Sequence, residues 1–550
     1  MAKKLLIIGG VAGGATAASR ARRLDETAEI ILFERGEYIS FANCGLPYYV
    51  GNIIKQRENL LVTTAAAFSA RYNIDIRLFS EVTEINRLKK EVTVKELKTG
   101  RSYTERYDKI ILSPGAEPIK PPIEGINLEN IFSLRSVPDS DRIKAYVDDK
   151  MPKSAVIVGG GFIGLEMAEN LAYRGVKVTI IEMLDQVMAP IDYEMAAIVH
   201  AHLKEKGVTL LLGDGVKSFS KAESRIKVIT GKGAETLCDM VILSIGIRPE
   251  NRLAKEACLD IGKRGGIVVD SGMRTSDPDI FAVGDAVEIR DFISGISVMT
   301  ALAGPANKQA RIAADNAMGR NAIFRGTIGT AAAKVFDLTV ASTGYNEKTL
   351  KQYNIPYLTS YTHSNSHAGY YPDAKMMAIK LIFSPGSGKI LGAQIIGGEG
   401  VDKRIDVIAT AIHGSMSVHD LEELELAYAP PYSSAKDPVN VAGFVAANIL
   451  KGDVTTINWD ALKDIDQANE VLIDLRDKNE LNESGFIKGS LNIPLNELRG
   501  RLHELDRSKV YIPYCAIGLR GYLGHRILVQ NGFKSRNLSG GYKTYSVTAN

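Results

Sequence analysis

The stretch SAVIVGGGFIGLEMAENLAYRGVKVTIIEML, from Ser154 to Leu184, decides the fold. Ser154–Val158 is a short apolar run rich in β-branched residues, which suits a strand buried on both faces. Gly159, Gly161 and Gly164 follow in the spacing G-x-G-x-x-G. The first glycine permits a tight turn, the second lets a pyrophosphate approach the backbone, and the third lets helix and sheet meet closely. Phe162 and Ile163 open the helix, whose N-terminal amides and dipole favour phosphate. Glu182 stands 18 residues past Gly164, at the end of the next strand. A carboxylate there bonds ribose hydroxyls and repels a 2′-phosphate. Met183 and Leu184 follow, and neither can receive that phosphate. The site is therefore expected to take NADH, with NADPH kept open, and Gly246 is assigned to it.

The same grammar occurs at the N-terminus. Lys4–Ile8 reads as a strand, ATAASRARRL as a helix of small residues, and EIILFERG as the next strand. The turn is Gly9-Gly10-Val11-Ala12-Gly13-Gly14, with Val11 in the middle glycine position. Glu34 lies 20 residues after Gly14 and is followed by Arg35. A third landmark, TSDPDIFAVGD over 275–285, ends in Gly284-Asp285 and places a carboxylate beside a polyol chain such as a ribityl group. Ala301 is assigned to the same site. Two such units predict an α/β chain with two Rossmann-like dinucleotide-binding domains.

The 550 residues leave room for about three or four domains. The divisions read from the chain are 1–112 and 271–324 for the first dinucleotide domain, with 113–149 as its connection. Residues 150–270 form the second, 325–446 an α+β domain, 447–460 a linker, and 461–550 a small α/β domain. A net charge of +3 argues against a nucleic-acid partner. The opening MAKKLLIIGG has an apolar run too short for a signal peptide or a membrane span. The four cysteines are too few for a secreted disulfide scaffold, and their spacing suits neither zinc nor an iron–sulfur cluster. A cytoplasmic location, no membrane and no metal are the expectations.

SFANCGLPYYVGN, residues 40–52, places Cys44 among small and polar neighbours, whereas a structural cysteine favours an apolar run. Reactivity needs the thiolate, stabilised by amides, a helix N-terminus or cations. No second cysteine lies four or five residues away. The oxidised equivalent must then reside in a mixed disulfide, a persulfide or a sulfenic acid. Cys238 and Cys258 read as structural.

The two dinucleotide units, the late Gly-Asp motif and the segment after it resemble the pyridine nucleotide–disulfide oxidoreductase family over residues 1 to about 445. The resemblance implies FAD in the first unit, with Asn43 beside it, NADH in the second, and a dimer interface within 325–445. SFANCGLPYY resembles the active-site stretch of coenzyme A disulfide reductases, whose lone cysteine forms a mixed disulfide with coenzyme A. SHAGYYP and AYAPPYS place Tyr370 and Tyr428 where those enzymes have tyrosines that reach the partner subunit's active site. A phenol there can protonate a leaving thiolate. Arg20, Arg23, Arg71, Lys308 and Arg311 are candidates for the phosphates of coenzyme A, with Asn307 beside them. Ser40, Phe41 and Asn43 are candidates for the thiol arm. The alternative in this fold is an NADH oxidase cycling through a Cys44 sulfenic acid. The glycine turn lacks the histidine of the peroxidase-like members.

In the tail, Tyr514-Cys515-Ala516-Ile517-Gly518-Leu519-Arg520 joins the strand KVYIP to a helix. A cysteine on such a loop faces several inward amides, which lower its pKa and favour a persulfide anion, and Arg520 can close the loop or attract an anion. VLIDLRDKNELNESGFIKGSLNIPL and Cys-x-x-Gly-x-Arg resemble a rhodanese domain over about residues 460–547. The fusion resembles NADH-dependent persulfide, polysulfide and coenzyme A disulfide reductases, with Cys44, Cys515, Tyr370, Tyr428 and Arg520 as catalytic candidates. A sulfur-carrier protein is the alternative from a different class.

Overall fold

A computed structural model describes residues 3–549. The chain divides into two compact units, Met1–Asp185 with Gly207–Gly329, and Gln186–Lys206 with Thr330–Asn550.

The first unit is built on two parallel five-stranded sheets. In one, Lys4–Ile8 is central, flanked by Glu29–Glu34 and Lys109–Leu112, with Asp75–Leu78 and Ile280–Ala282 at the edges. In the other, Ser154–Val158 is central, flanked by Lys177–Glu182 and Met240–Leu243, with Thr209–Leu212 and Ile131–Ser133 outside. Leu5, Leu6, Ile7, Val156 and Ile157 are fully buried. Each such side chain contributes roughly 1.5–3 kcal/mol, which explains the unbroken apolar runs. The small-residue helix Ala12–Leu24 packs on helix Ala303–Ala317, and buried alanines on both let the backbones approach. Ile131–Ser133 falls in the expected connection 113–149 but pairs with Met240–Leu243 in the second sheet.

The second unit holds an antiparallel five-stranded sheet in the order Ala331–Val335, Leu338–Gly344, Ile390–Gly397, Met376–Phe383, Leu358–Asn365. Helix Tyr193–Glu205, from within the expected second dinucleotide domain, groups with it. The tail forms a parallel sheet in the order Leu491–Asn492, Glu470–Asp474, Val510–Tyr514, Lys534–Ser535.

The expected linker 447–460 is ordered. Helix Pro438–Leu450 runs into it, and Thr456–Ile457 pairs in parallel with Asn537–Leu538. Asn458 Nδ2 donates to Thr359 Oγ1 at 3.0 Å, and the Trp459 ring lies 6.0 Å from that of Tyr193. The composition shift there marks a change of sheet, not a loose tether. Among the described residues no helix is long and apolar enough to cross a membrane.

Candidate active site

The first glycine turn opens a cleft of about 440 Å³, within the usual range of ligand pockets. Gly9, Gly10, Val11, Ala12, Gly13, Glu34, Arg35, Phe41, Asn43, Gly284 and Asp285 line it. Gly14 and Ala301 lie outside that lining. Gly9 adopts φ +98°, and a Cβ there would sit 2.1 Å from the Ser113 carbonyl oxygen. Val11 is tolerated because it is the helix N-cap at φ −90°, a backbone open to any residue. Gly161 holds the same N-cap place in the second unit, with open space where a Cβ would point. The two acidic residues also behave alike. Glu34 accepts the N–H groups of Gly10 at 2.8 Å and Gly36 at 2.7 Å, and Glu182 accepts those of Gly160 at 2.6 Å and Leu184 at 2.8 Å. Each carboxylate is thereby fixed at the lip of its turn with acceptor capacity left for a ribose. The cradle, the carboxylates and the helix N-termini fit two dinucleotides.

Asp285 is raised above the usual carboxylate range by burial, against the pull of Arg135. Lining groups not singled out in the sequence include Ser113 and Pro114 after strand Lys109–Leu112, and Arg135. A strand ending in Ser-Pro-Gly was the available signal. Gln309 was also missed. It is buried and accepts the Gly284 N–H at 2.8 Å, fixing the Gly-Asp turn.

Cys44 sits in the 3-10 turn Asn43–Gly45, just before the short helix Leu46–Val50. Ser40 N–H donates to the Gly10 carbonyl at 3.0 Å and fastens this segment to the glycine turn. The sulfur is exposed, yet its thiol is raised above the usual range by dehydration first, then by Glu166 and Asp285. The nearby charges are negative, while a backbone hydrogen bond at Cys44 itself works in the other direction. Glu166 lies on helix Phe162–Tyr173, and burial followed by Glu169 raises it to about 7. Helix Leu46–Val50 packs against that helix, and Tyr48 on it is raised to about 12 by burial, then by Glu166. Cys238 is buried, as expected of a structural thiol, whereas Cys258 is exposed.

Four of the five cationic candidates gather on two packed helices, Arg20 and Arg23 on Ala12–Leu24, Lys308 and Arg311 on Ala303–Ala317, while Arg71 lies apart on helix Ala65–Tyr72. Thr16 Oγ1 donates to Asn307 Oδ1 at 2.5 Å between the two packed helices. Arg20 is already paired with Asp315 at 2.6 Å, which weakens its claim on a phosphate. Arg23, Arg71, Lys308 and Arg311 are exposed.

In the second unit, Tyr370 and Tyr428 are exposed and their hydroxyls hydrogen-bond at 2.7 Å. Cys515 is buried at the end of strand Val510–Tyr514, and Gly518 N–H donates to its sulfur at 3.2 Å. Gly518 reaches that pose at φ +110°, a backbone suited to glycine. Tyr542 and Lys543 N–H groups donate to the Cys515 and Ala516 carbonyls, tying the loop to helix Gly541–Thr548. Arg520 is clasped by Glu480.

Asp192, Glu194 and Glu347 converge closely enough for a metal. The Lys380 ammonium occupies their centre, 2.8 Å from Asp192, 2.5 Å from Glu347 and bonded to Glu194. Burial opposes its charge, but Tyr361 and the carboxylates hold its pKa well above the ordinary value.

Comparison with known proteins places this geometry. The pyridine nucleotide-disulphide oxidoreductase family matches residues 3–313, its dimerisation domain matches 330–438, and the rhodanese-like domain matches 459–548. The chain belongs to the pyridine nucleotide–disulphide oxidoreductases and carries a rhodanese-like domain at its C-terminal end. More particularly, it is 53% identical to the reduced CoADR-RHD of Bacillus anthracis, covering 100% of this chain and 98% of that one at a TM-score of 0.97. An NAD-dependent persulfide reductase from A. fulgidus is 40% identical, covering 98% and 100% at a TM-score of 0.93. A coenzyme A disulfide reductase from Staphylococcus haemolyticus is 34% identical over 449 residues, which is 81% of this chain and 100% of that protein.

Proposed function

We propose that the chain is a flavin-dependent NADH reductase of persulfides, polysulfides and coenzyme A disulfide, working as a homodimer. One observation carries the reading. A lone cysteine stands beside a dinucleotide cleft, and a second cysteine occupies a separate rhodanese-like loop. The relatives described as coenzyme A disulfide and persulfide reductases support the same substrate class.

FAD in the first cleft supplies two-electron transfer from NADH to a sulfur–sulfur bond. The Gly9–Gly14 turn and Glu34 would hold its pyrophosphate and ribose, and Asp285 its polyol. The Gly159–Gly164 turn and Glu182 would hold NADH. Arg23, Lys308 and Arg311 offer cations to coenzyme A, and Ser40, Phe41 and Asn43 line its thiol arm. Burial and two carboxylates disfavour a free Cys44 thiolate, which favours keeping that sulfur in a neutral mixed disulfide.

In the cycle, the Cys44 thiolate attacks the inner sulfur of coenzyme A persulfide. The bond to the outer sulfur breaks, hydrosulfide leaves, and the Cys44–coenzyme A disulfide forms. Two electrons and a proton then return the Cys44 thiolate and the coenzyme A thiol. Tyr370 and Tyr428, acting on the other subunit's site, supply the proton. The coenzyme A thiol takes the outer sulfur of a Cys515 persulfide and leaves Cys515 as thiol. Each sulfane sulfur consumes one hydride and leaves as hydrosulfide. The test is Cys515→Ser. Its persulfide turnover should fall while coenzyme A disulfide reduction persists. Unchanged turnover with every persulfide and polysulfide refutes the relay.

A further inference from the structure

Arg520, in the first turn of helix Leu519–Gln530 directly after the Cys515 loop, is paired with a carboxylate. Its Nη1 donates to Glu480 Oε2 and its Nη2 to Oε1, each at 2.6 Å. Asp477 Oδ2 is 4.0 Å from Nη1. Hydrogen bonding to Glu480 foremost, with Cys515 adding to it, keeps the guanidinium charged. Arg520 in turn holds Glu480 below the usual carboxylate range. Glu480 Oε2 also accepts the Asp477 N–H at 3.1 Å, so the carboxylate is fixed from both sides.

Among the neighbouring cations Arg476 is answered by a carboxylate, whereas Lys543 meets only an uncharged thioether. Arg476 is buried against Asp474 at 2.6 Å, and Lys543 Nζ reaches Met376 Sδ at 3.1 Å. Ala516, Ile517, Gly518 and Leu519 carry no charge. An oxyanion approaching Cys515 therefore meets a guanidinium whose charge is already answered by carboxylates.

We propose that Glu480 is a positioning residue that selects the sulfur donor of Cys515. It holds Arg520 beside the sulfur and cancels its charge, so the loop accepts sulfur from organic persulfides and rejects dianionic donors such as thiosulfate. The inference rests on the reading that Cys515 carries sulfane sulfur. With a persulfide, the Cys515 thiolate attacks the outer sulfur, the donor's sulfur–sulfur bond breaks and a thiol departs. With thiosulfate the same transfer expels sulfite. Neither step needs an external oxidant or reductant. They differ in the charge brought to the loop.

The test uses the full-length flavoprotein and measures thiocyanate formed from cyanide, with dianionic thiosulfate or an alkyl persulfide of at most one negative charge as donor. Glu480→Gln keeps an acceptor for the Asp477 amide and frees the Arg520 charge. It should raise kcat/KM for thiosulfate about tenfold relative to the persulfide, mainly through KM. The gain should shrink as salt is added. Asp477→Asn, whose side chain caps the helix as well, should shift the ratio the same way by a smaller factor. It guards against a folding defect in the first variant. An unchanged donor ratio in both variants, with Cys515 still loading, overturns the proposal. If wild-type Cys515 gains no sulfur by mass from either donor, the underlying reading fails instead.

Discussion

The hydroxyls of Tyr370 and Tyr428 share a hydrogen bond of 2.7 Å across 58 positions of sequence. The bond raises Tyr370 above the usual phenol range, so its hydroxyl keeps its proton at neutral pH. If the pair protonates the leaving thiolate, each Tyr→Phe variant should slow coenzyme A disulfide reduction by about tenfold or more. The double variant should lose little beyond either single, because each removes the same bond. Steady-state rates of the three variants check this. Additive losses would show two independent roles.

The Cys44 thiol is raised partly by the Glu166 charge. Removing that charge should lower it. In the reduced protein, the pH profile of Cys44 alkylation should move to lower pH in Glu166→Gln. A second consequence concerns order of events. Cys44→Ser should abolish disulfide reduction while NADH still bleaches the flavin in an anaerobic mixing experiment.

His363 Nε2 is hydrogen-bonded to Thr544 Oγ1 at 2.9 Å, and Gly540 and Thr544 belong to the segment that carries the Cys515 loop. Burial first, then Lys543, lowers His363 to about 4, and burial lowers His525 to about 4 as well. Both pKa values are depressed on folding, so their neutral forms stabilise the native state above the unfolded value near 6.5. That stability is lost as pH falls toward 4. For His363 the loss is at most on the order of 3 kcal/mol. Fluorescence of the only tryptophan, Trp459, should report earlier acid unfolding than in His363→Gln.

Glu182 should control the choice of nicotinamide cofactor. Glu182→Gln keeps one acceptor oxygen, enough for only one of the Gly160 and Leu184 amides, and loses the charge that repels a 2′-phosphate. The NADH to NADPH ratio of kcat/KM should fall by about tenfold. An unchanged ratio would place the discrimination elsewhere.

Much of the architecture was legible because its signals are local. The G-x-G-x-x-G turn at Gly159–Gly164 and the carboxylate at Glu182 follow one another within a single strand–helix–strand unit. Val11 looked like a defect, yet its negative φ makes it an ordinary N-cap. The contacts between distant segments were not legible. No periodicity announces that Gln309 would hold Gly284, that Glu480 would clasp Arg520, or that Lys380 would gather three carboxylates. The charges around the Cys44 thiol belong with these. Its small polar neighbours are visible in the sequence, but Glu166 and Asp285 reach it only through the fold.

On the proposed function, Cys44 stores its oxidised equivalent as a disulfide with coenzyme A. The direct measurement is the intact mass of the purified protein before and after reduction, with the adduct mapped to its peptide. Loss of one coenzyme A from Cys44 is the expected result. No coenzyme A on the oxidised protein, with one oxygen at Cys44 instead, would contradict it and point to the sulfenic-acid chemistry of an oxidase.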